Sequence, residues 1–362
     1  MKRYLPFLPR IINRRGLPIH LIYFVTGRCN LKCEHCFYWK ELNQGKNELT
    51  LDEVEKISRS MDPLLWLALT GGEPFLRPDL SAIARTFVKN TFVRHISIPT
   101  NGFFTENIVD SVNQMLTDNP ATTFSITVSC DGLEEMHDKI RGIPGSFKSL
   151  VRTVKELKRL KKRHANLGVG MTMTFTATNQ HHFLDIYRHL RDEVRPDEIV
   201  FNLIRGLPKN PVTANIDLKL YRQAVKQKLT DLKTGKLPYY RFGLMGKLAA
   251  ARDVVMYDRI VKYKEGRGKY TPCLAGRLSA VMDEAGVVYP CELLSFKLGN
   301  IRDFNYRWPD LWQTPEADKI RRWIWDTHCA CTHECFLTTN IFFSPRSYTE
   351  LLTQLVPFHV HR

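Results

Sequence analysis

Short runs rich in β-branched and aromatic residues alternate along the chain with stretches whose apolar positions recur at helical spacing. The runs fall at Ile19–Thr26, Leu64–Thr70, Val93–Thr100, Phe124–Cys130, Leu167–Thr176 and Glu198–Ile204. Between them lie the amphipathic segments Leu51–Met61, Leu80–Asn90, Glu106–Met115, Gly145–Arg163 and His182–Val194. This alternation predicts βαβ units and a parallel sheet. Six units are too few for a closed eight-unit barrel. The expected fold is α/β, a partial (β/α)6 TIM-like barrel open on one side, with its chemistry at the C-terminal strand ends.

From Asn215 to Gly268 the pattern changes to basic helices without strand signals, ending in Lys264–Glu265–Gly266–Arg267–Gly268. A cysteine-rich stretch follows from Cys273. The expected organisation is therefore a basic, apolar arm over 1–18, the barrel over 19–214, a helical connector over 215–272 and a small cysteine-rich α+β unit with a tail over 273–362.

The loops after the second, third and fourth runs are Thr70–Gly71–Gly72–Glu73–Pro74, Pro99–Thr100–Asn101–Gly102 and Ser129–Cys130–Asp131–Gly132. One such loop means little, because turns favour these residues anyway. Three in succession on one expected face form a surface where backbone can approach a ligand closely. On that face, after the first run, Cys29, Cys33 and Cys36 follow the spacing Cys-x3-Cys-x2-Cys. Three thiolates leave one iron of a four-iron cluster open for something else to bind, whereas a structural site normally has a fourth protein ligand. The competing reading of the triad is a zinc site completed by His35 or a distant cysteine.

The composition narrows this further. With 362 residues and 43% hydrophobic content the chain can bury a large core. Its nine cysteines cluster at short spacings with no secretion signal before them, which points to metal in a reducing, cytoplasmic compartment. No apolar run approaches the ~20 residues of a spanning helix. The net charge of +16 suits anionic substrates or surfaces, although the densest stretch, Lys155–Arg163, reads as the wet face of a helix. The arm Tyr4–Ile12, with Arg14 and Arg15, is the better candidate for touching a membrane surface peripherally. No basic module interleaved with aromatics, of the kind that reads RNA, is present, which argues against nucleic acid.

The run Cys29–Asn30–Leu31–Lys32–Cys33–Glu34–His35–Cys36 with Gly71–Gly72–Glu73–Pro74 resembles the radical S-adenosylmethionine (radical SAM) enzymes over roughly residues 19 to 205. The resemblance implies that Cys29, Cys33 and Cys36 hold a [4Fe-4S] cluster whose open iron is chelated by S-adenosylmethionine. It further implies reductive cleavage to a 5′-deoxyadenosyl radical that takes hydrogen from a substrate. Gly71, Gly72 and Glu73 would then meet the methionine amino group, and Asn101, Ser129, Asp131 and Arg141 the ribose or carboxylate. His35 stands where that family often has an aromatic residue, and an imidazole can still stack on adenine.

Cys273, Cys291, Cys329, Cys331 and Cys335, with Gly286–Val287–Val288–Tyr289–Pro290–Cys291 and Gly299–Asn300–Ile301, resemble the SPASM or shortened Twitch extension of that family. This implies one auxiliary [4Fe-4S] cluster, with Cys273, Cys291 and Cys335 and one of Cys329 or Cys331 as ligands. A second cluster completed by His328 or His333, or a zinc knuckle, stays open. Glu292, after Cys291, matches the place of a catalytic base in some such dehydrogenases, and burial would raise its pKa into a useful range.

The implied activity is an oxidoreductase ending in oxidation or bond formation on a peptide or on a small or lipid-linked metabolite. A reductant such as flavodoxin or ferredoxin is the implied partner. Eighteen residues before the first run leave no room for a winged-helix leader-binding domain, so a peptide substrate would call for a separate partner chain. An iron–sulfur electron-transfer protein would keep the cysteines but need neither Gly71–Gly72–Glu73 nor the loop at Asn101.

Overall fold

A computed structural model describes residues 2–13, 16–237, 243–268 and 271–355; Arg14 and Arg15 of the arm and the tail from 356 lie outside the described residues. Six strands follow the expected runs: β1 (His20–Thr26), β2 (Trp66–Gly71), β3 (His95–Thr100), β4 (Thr123–Ser129), β5 (Leu167–Phe175) and β6 (Glu198–Leu203). Three more, β7 (Ser279–Met282), β8 (Val287–Tyr289) and β9 (Gly299–Asn300), come from the cysteine-rich stretch. All nine form one sheet in the order β6-β5-β4-β3-β2-β1-β7-β8-β9. β1 to β6 are parallel, and the open curl of six strands with helices between them is the expected partial barrel.

The inner and outer faces are written in the strands themselves. A parallel strand buried on both faces reads as a nearly continuous apolar run. β3 and β4 instead alternate: Ile96, Ile98, Phe124, Ile126 and Val128 are buried under the helices, with Ile83, Phe87, Val112, Leu150 and Leu157 against them. The intervening Ser97, Ser125, Thr127 and Ser129 turn toward the barrel lumen. Helix starts are fixed by local chemistry. Thr50 accepts from Glu53 N and the Glu53 carboxylate accepts from Thr50 N, closing a capping box at the helix Leu51–Arg59.

The stretch read from the sequence as a separate C-terminal unit contributes directly to the barrel sheet. β7 lies parallel against β1 in the register His20↔Ser279 to Tyr23↔Met282, and β8 and β9 continue antiparallel beyond it. At the other edge, Tyr257 from the helix Gly243–Lys264 accepts from Phe201 N (2.9 Å), occupying an amide that the edge strand β6 would otherwise leave free. The helices Glu334–Phe342 and Tyr348–Leu355 pack on that same long helix.

Candidate active site

The loop after β1 is fixed on three sides. Asn43 Oδ1 accepts from Cys29 N and its Nδ2 donates to Cys29 O, both at 3.0 Å. Lys32 N and Glu34 N donate to Arg141 O and Ile140 O at the end of the helix Glu134–Arg141. From the loop after β6, Lys209 N and Asn210 N donate to Cys36 O and Glu34 O. Burial pushes the Cys29 thiol up to about 12 and the Cys36 thiol up to about 11. Burial also pushes Cys33 up, although Arg141 pulls it back. Thiols in such surroundings ionise when a bound metal supplies the charge.

The glycine loop is pressed against this one. Gly72 N donates to Thr26 O (2.9 Å) and Glu73 N to Arg28 O (2.8 Å). A Cβ on Gly72 would collide with the Arg28 carbonyl and come within 3.1 Å of Cys29 Cβ. Gly71 has φ +127° and its Cβ would collide with Thr26 O. Glycine is therefore what lets the two loops touch. Glu73 turns inward: Oε2 accepts from Asn101 N (2.7 Å), and Oε1 from Thr100 Oγ1 (2.8 Å) and Phe75 N (3.3 Å). Burial nonetheless raises this carboxyl to about 7. Asn101 Nδ2 in turn donates to Asn30 Oδ1 inside the cysteine loop (2.9 Å).

Asp131 is wholly buried, accepts from Thr174 N (2.7 Å), and pairs with Arg141 and with His35 Nε2 (3.5 Å). Arg141 also donates from Nη1 to Cys33 Sγ over 3.6 Å. Asp131 thus stands behind the wall, holding Arg141 and His35. Ser129, Asn101 and Arg141 line the cavity itself.

Among the C-terminal cysteines, the Cys273 thiol hydrogen-bonds to Cys329, which pulls Cys329 down to about 7. Cys331 and Cys329 both act electrostatically on Cys291, and Cys331 acts on Cys273. Cys335 is exposed, bonds to His333 and lines the cavity beside Arg205. The structure therefore brings Cys329 and Cys331 together with Cys273 and Cys291, and sets Cys335 on the cavity wall. That departs from the set read from the sequence, which placed Cys335 ahead of both. A mononuclear zinc site needs its ligands about 2.0–2.3 Å from one point. Among the described residues no three Cys, His, Asp or Glu converge in that way.

Glu292 differs from expectation. Burial does push its carboxyl up, but His333, Arg205 and His20 outweigh it and hold the group at about 2. His333 Nε2 lies 2.7 Å and Arg205 Nη2 3.6 Å from Oε2. In this arrangement the carboxylate is paired with His333 and Arg205.

One cavity of about 1150 Å³ joins these parts. Cys29, Cys33, Cys36 and Gly72 line one side, and Arg205, Glu292 and Cys335 another. A single small-molecule pocket typically spans about 300–1,000 Å³, so the space exceeds what one bound molecule fills. Three thiols on one loop, a glycine edge that a single Cβ would fill, and room beside them fit a cluster together with a nucleoside-bearing ligand.

Fold and site together define an open parallel barrel with a three-cysteine loop and a glycine edge at its C-terminal strand ends. Residues 23–190, the stretch that carries the three-cysteine loop and the glycine edge, match the Radical SAM superfamily and form a radical SAM domain. The protein is accordingly an enzyme that uses a [4Fe-4S] cluster and S-adenosylmethionine. The chain is 27% identical over 319 residues to an AdoMet-dependent heme synthase of Methanosarcina barkeri, covering 85% of each chain. It is also 27% identical over 305 residues to a cysteine-type anaerobic sulfatase-maturating enzyme of Clostridium novyi, covering 78% of this chain and 76% of that one. The solved structure of native anSMEcpe with bound AdoMet and Cp18Cys peptide superposes with a TM-score of 0.60 at 19% identity, covering 94% of this chain and 97% of that chain. That likeness establishes the fold. No helix of the described residues is long and apolar enough to cross a membrane.

Proposed function

We propose that this chain is a radical SAM oxidoreductase acting on a small or lipid-linked metabolite held in the barrel lumen. In this reading Cys29, Cys33 and Cys36 hold the SAM cluster. Gly71, Gly72, Asn101, Ser129 and Arg141 seat the cofactor, with Glu73 beside them in the cavity wall and Asp131 bracing Arg141 from behind. Cys273, Cys291, Cys329 and Cys331 hold one auxiliary cluster. The bound cluster and cofactor supply a carbon radical able to remove a hydrogen atom from the substrate. The protein places that substrate, excludes water from it and fixes the ligands. A flavodoxin- or ferredoxin-type reductant supplies the electron.

The observation that carries this reading is the shared cavity, because the triad and the Glu292–Cys335 wall open onto the same space. A peptide substrate is the second reading, supported by the relative named as a sulfatase-maturating enzyme. The test is 5′-deoxyadenosine production by anaerobically reconstituted enzyme with S-adenosylmethionine, dithionite and fractions of host extract. Stimulation by the lipid or low-mass pool, lost in the triple variant Cys29→Ala/Cys33→Ala/Cys36→Ala, supports the first reading. Stimulation by the peptide pool alone replaces it with the second, and no product under any condition removes both.

A further inference from the structure

The lumen continues below the cofactor end, past mid-strand to His95 and Glu198 at the starts of β3 and β6. Barrel interiors are ordinarily filled by layers of branched apolar side chains. Here the wall carries Ser97, Ser125, Thr127, Ser129, Thr172 and Asn202. Their register makes one patch: Ser97 lies beside Ser125, and Ser129 beside Thr172. Gly170, beside Thr127, leaves space for the Glu198 side chain, which a Cβ there would crowd at 2.8 Å. None of the six polar side chains makes a hydrogen bond among the described residues. All six face the cavity and five of them are only half-buried, so they are free to pair with whatever occupies that space. Closely spaced groups that both donate and accept match vicinal hydroxyls.

The lower mouth has the opposite chemistry. It is lined by Leu8 and Ile11 of the arm and by Phe343, Tyr348, Leu351 and Leu352 of the C-terminal helices. Leu352 is 62% and Leu8 44% exposed, with Ile12 73% exposed next to them. These elements lie outside residues 23–190, the part that matches the family. An apolar rim that continues directly into a hydroxylated lumen is amphiphilic along its length.

We infer that the lumen binds an amphiphile, with a polyhydroxylated head group against the serine–threonine wall and a hydrocarbon chain leaving between the arm and the C-terminal helices. This rests on the lumen being the substrate site, as proposed above. The head lies on the triad side of the chain, so the carbon that loses hydrogen belongs to the polyol. The apolar mouth then recognises the tail without taking part in the chemistry.

The test uses reconstituted holoenzyme and decyl maltoside below its micelle concentration, followed by calorimetry and by fluorescence, Trp66 being part of the lining. Maltose and decanoate are the two half-probes. Decyl maltoside is expected to bind at least about tenfold more tightly than either half, because both hydrocarbon burial and hydroxyl pairing then contribute. Leu352→Asp, at a position exposed enough to keep the fold, should weaken decyl maltoside and decanoate but not maltose. Thr127→Val, nearly isosteric, should weaken decyl maltoside and maltose but not decanoate. Equal binding of all three probes, or indifference to both substitutions, overturns the inference. Dithionite-driven 5′-deoxyadenosine formation in the same preparation keeps the two claims apart. Cleavage without decyl maltoside binding defeats the amphiphile site alone. Binding that follows the expected pattern without cleavage upholds the site and defeats the radical reading.

Discussion

Arg141 Nη1 donates to Cys33 Sγ over 3.6 Å while the same guanidinium pairs with the fully buried Asp131. A fixed cation beside a ligating sulfur favours the reduced, more negative state of a cluster. Arg141→Gln should therefore shift the midpoint potential of the triad's cluster downward by about 60 mV, a tenfold change for a one-electron couple. It should also cost about 3–5 kcal/mol of stability, since Asp131 is left buried without its partner. A redox titration followed by electron paramagnetic resonance reads the first effect. Arg141→Lys should restore most of the potential. An unchanged potential in a folded Arg141→Gln protein would assign Arg141 a purely structural part.

Gly72 keeps the glycine edge in contact with the cysteine loop, and a methyl group there meets backbone and Cys29 Cβ, neither of which is free to swing away. Gly72→Ala should lose the triad's cluster while retaining the auxiliary iron. Gly45, at φ +64° with nothing within 4 Å of an added Cβ, supplies the contrast. Gly45→Ala should cost only about 1 kcal/mol of backbone strain and keep both clusters. Iron, sulfide and the visible absorption of the reconstituted proteins decide the matter. Equal cluster loading in the two variants would contradict this account of the edge.

The C-terminal cysteines can be sorted the same way. In a Cys29→Ala/Cys33→Ala/Cys36→Ala background, about four irons per chain should remain, one four-iron cluster. Adding Cys335→Ser should leave that content unchanged, whereas Cys329→Ser or Cys331→Ser should lower it. Loss on Cys335→Ser with retention on Cys329→Ser would reinstate the ligand set read from the sequence.

Glu198 gives a pH signature. Burial, helped by Asp253 and Asp197 and opposed by Arg252 and Lys228, raises its carboxyl from 4.5 to about 7. The folded chain thus holds this proton more tightly than the unfolded chain, and stability falls as pH rises from about 4.5 to about 7. The full effect above that range is on the order of 2 kcal/mol after allowance for cavity water. Glu198→Gln should match the parent below pH ~5 and melt about 2–4 °C higher above pH ~7. A difference that does not vary with pH would sink this assignment.

The barrel was legible because β-rich runs and amphipathic segments alternate along the sequence. Polar residues at His95, Ser97, Thr123, Ser125 and Thr127 mark the lumen, and the apolar residues between them mark the helix side. The triad and the glycine edge were legible because each is a contiguous run. What brings Arg141 to Cys33 was not, because 108 residues separate them and the helix Glu134–Arg141 is only eight residues long. Burial of Glu292 was a fair expectation, but the direction in which its carboxyl shifts depends on His333, 41 residues away. The spacing of Cys329, Cys331 and Cys335 also withholds which thiols turn inward. The first two lie in the extended segment before the helix Glu334–Phe342, while Cys335 sits in the first turn of that helix, facing the cavity.

The pairing of β1 with β7 sets an order of assembly for the newly made chain. Ser279 is 259 residues beyond His20, so the strand leading into Cys29 remains a bare edge until most of the chain has emerged. Closing so long a loop is slow, and unpaired strand edges invite association with other chains in the meantime. The same late event draws in Cys273 and Cys291, which flank β7 and β8 in sequence. Maturation of both iron sites is thereby tied to a single closing step, and a nascent chain halted before residue 279 has neither a finished first strand nor a complete set of thiols.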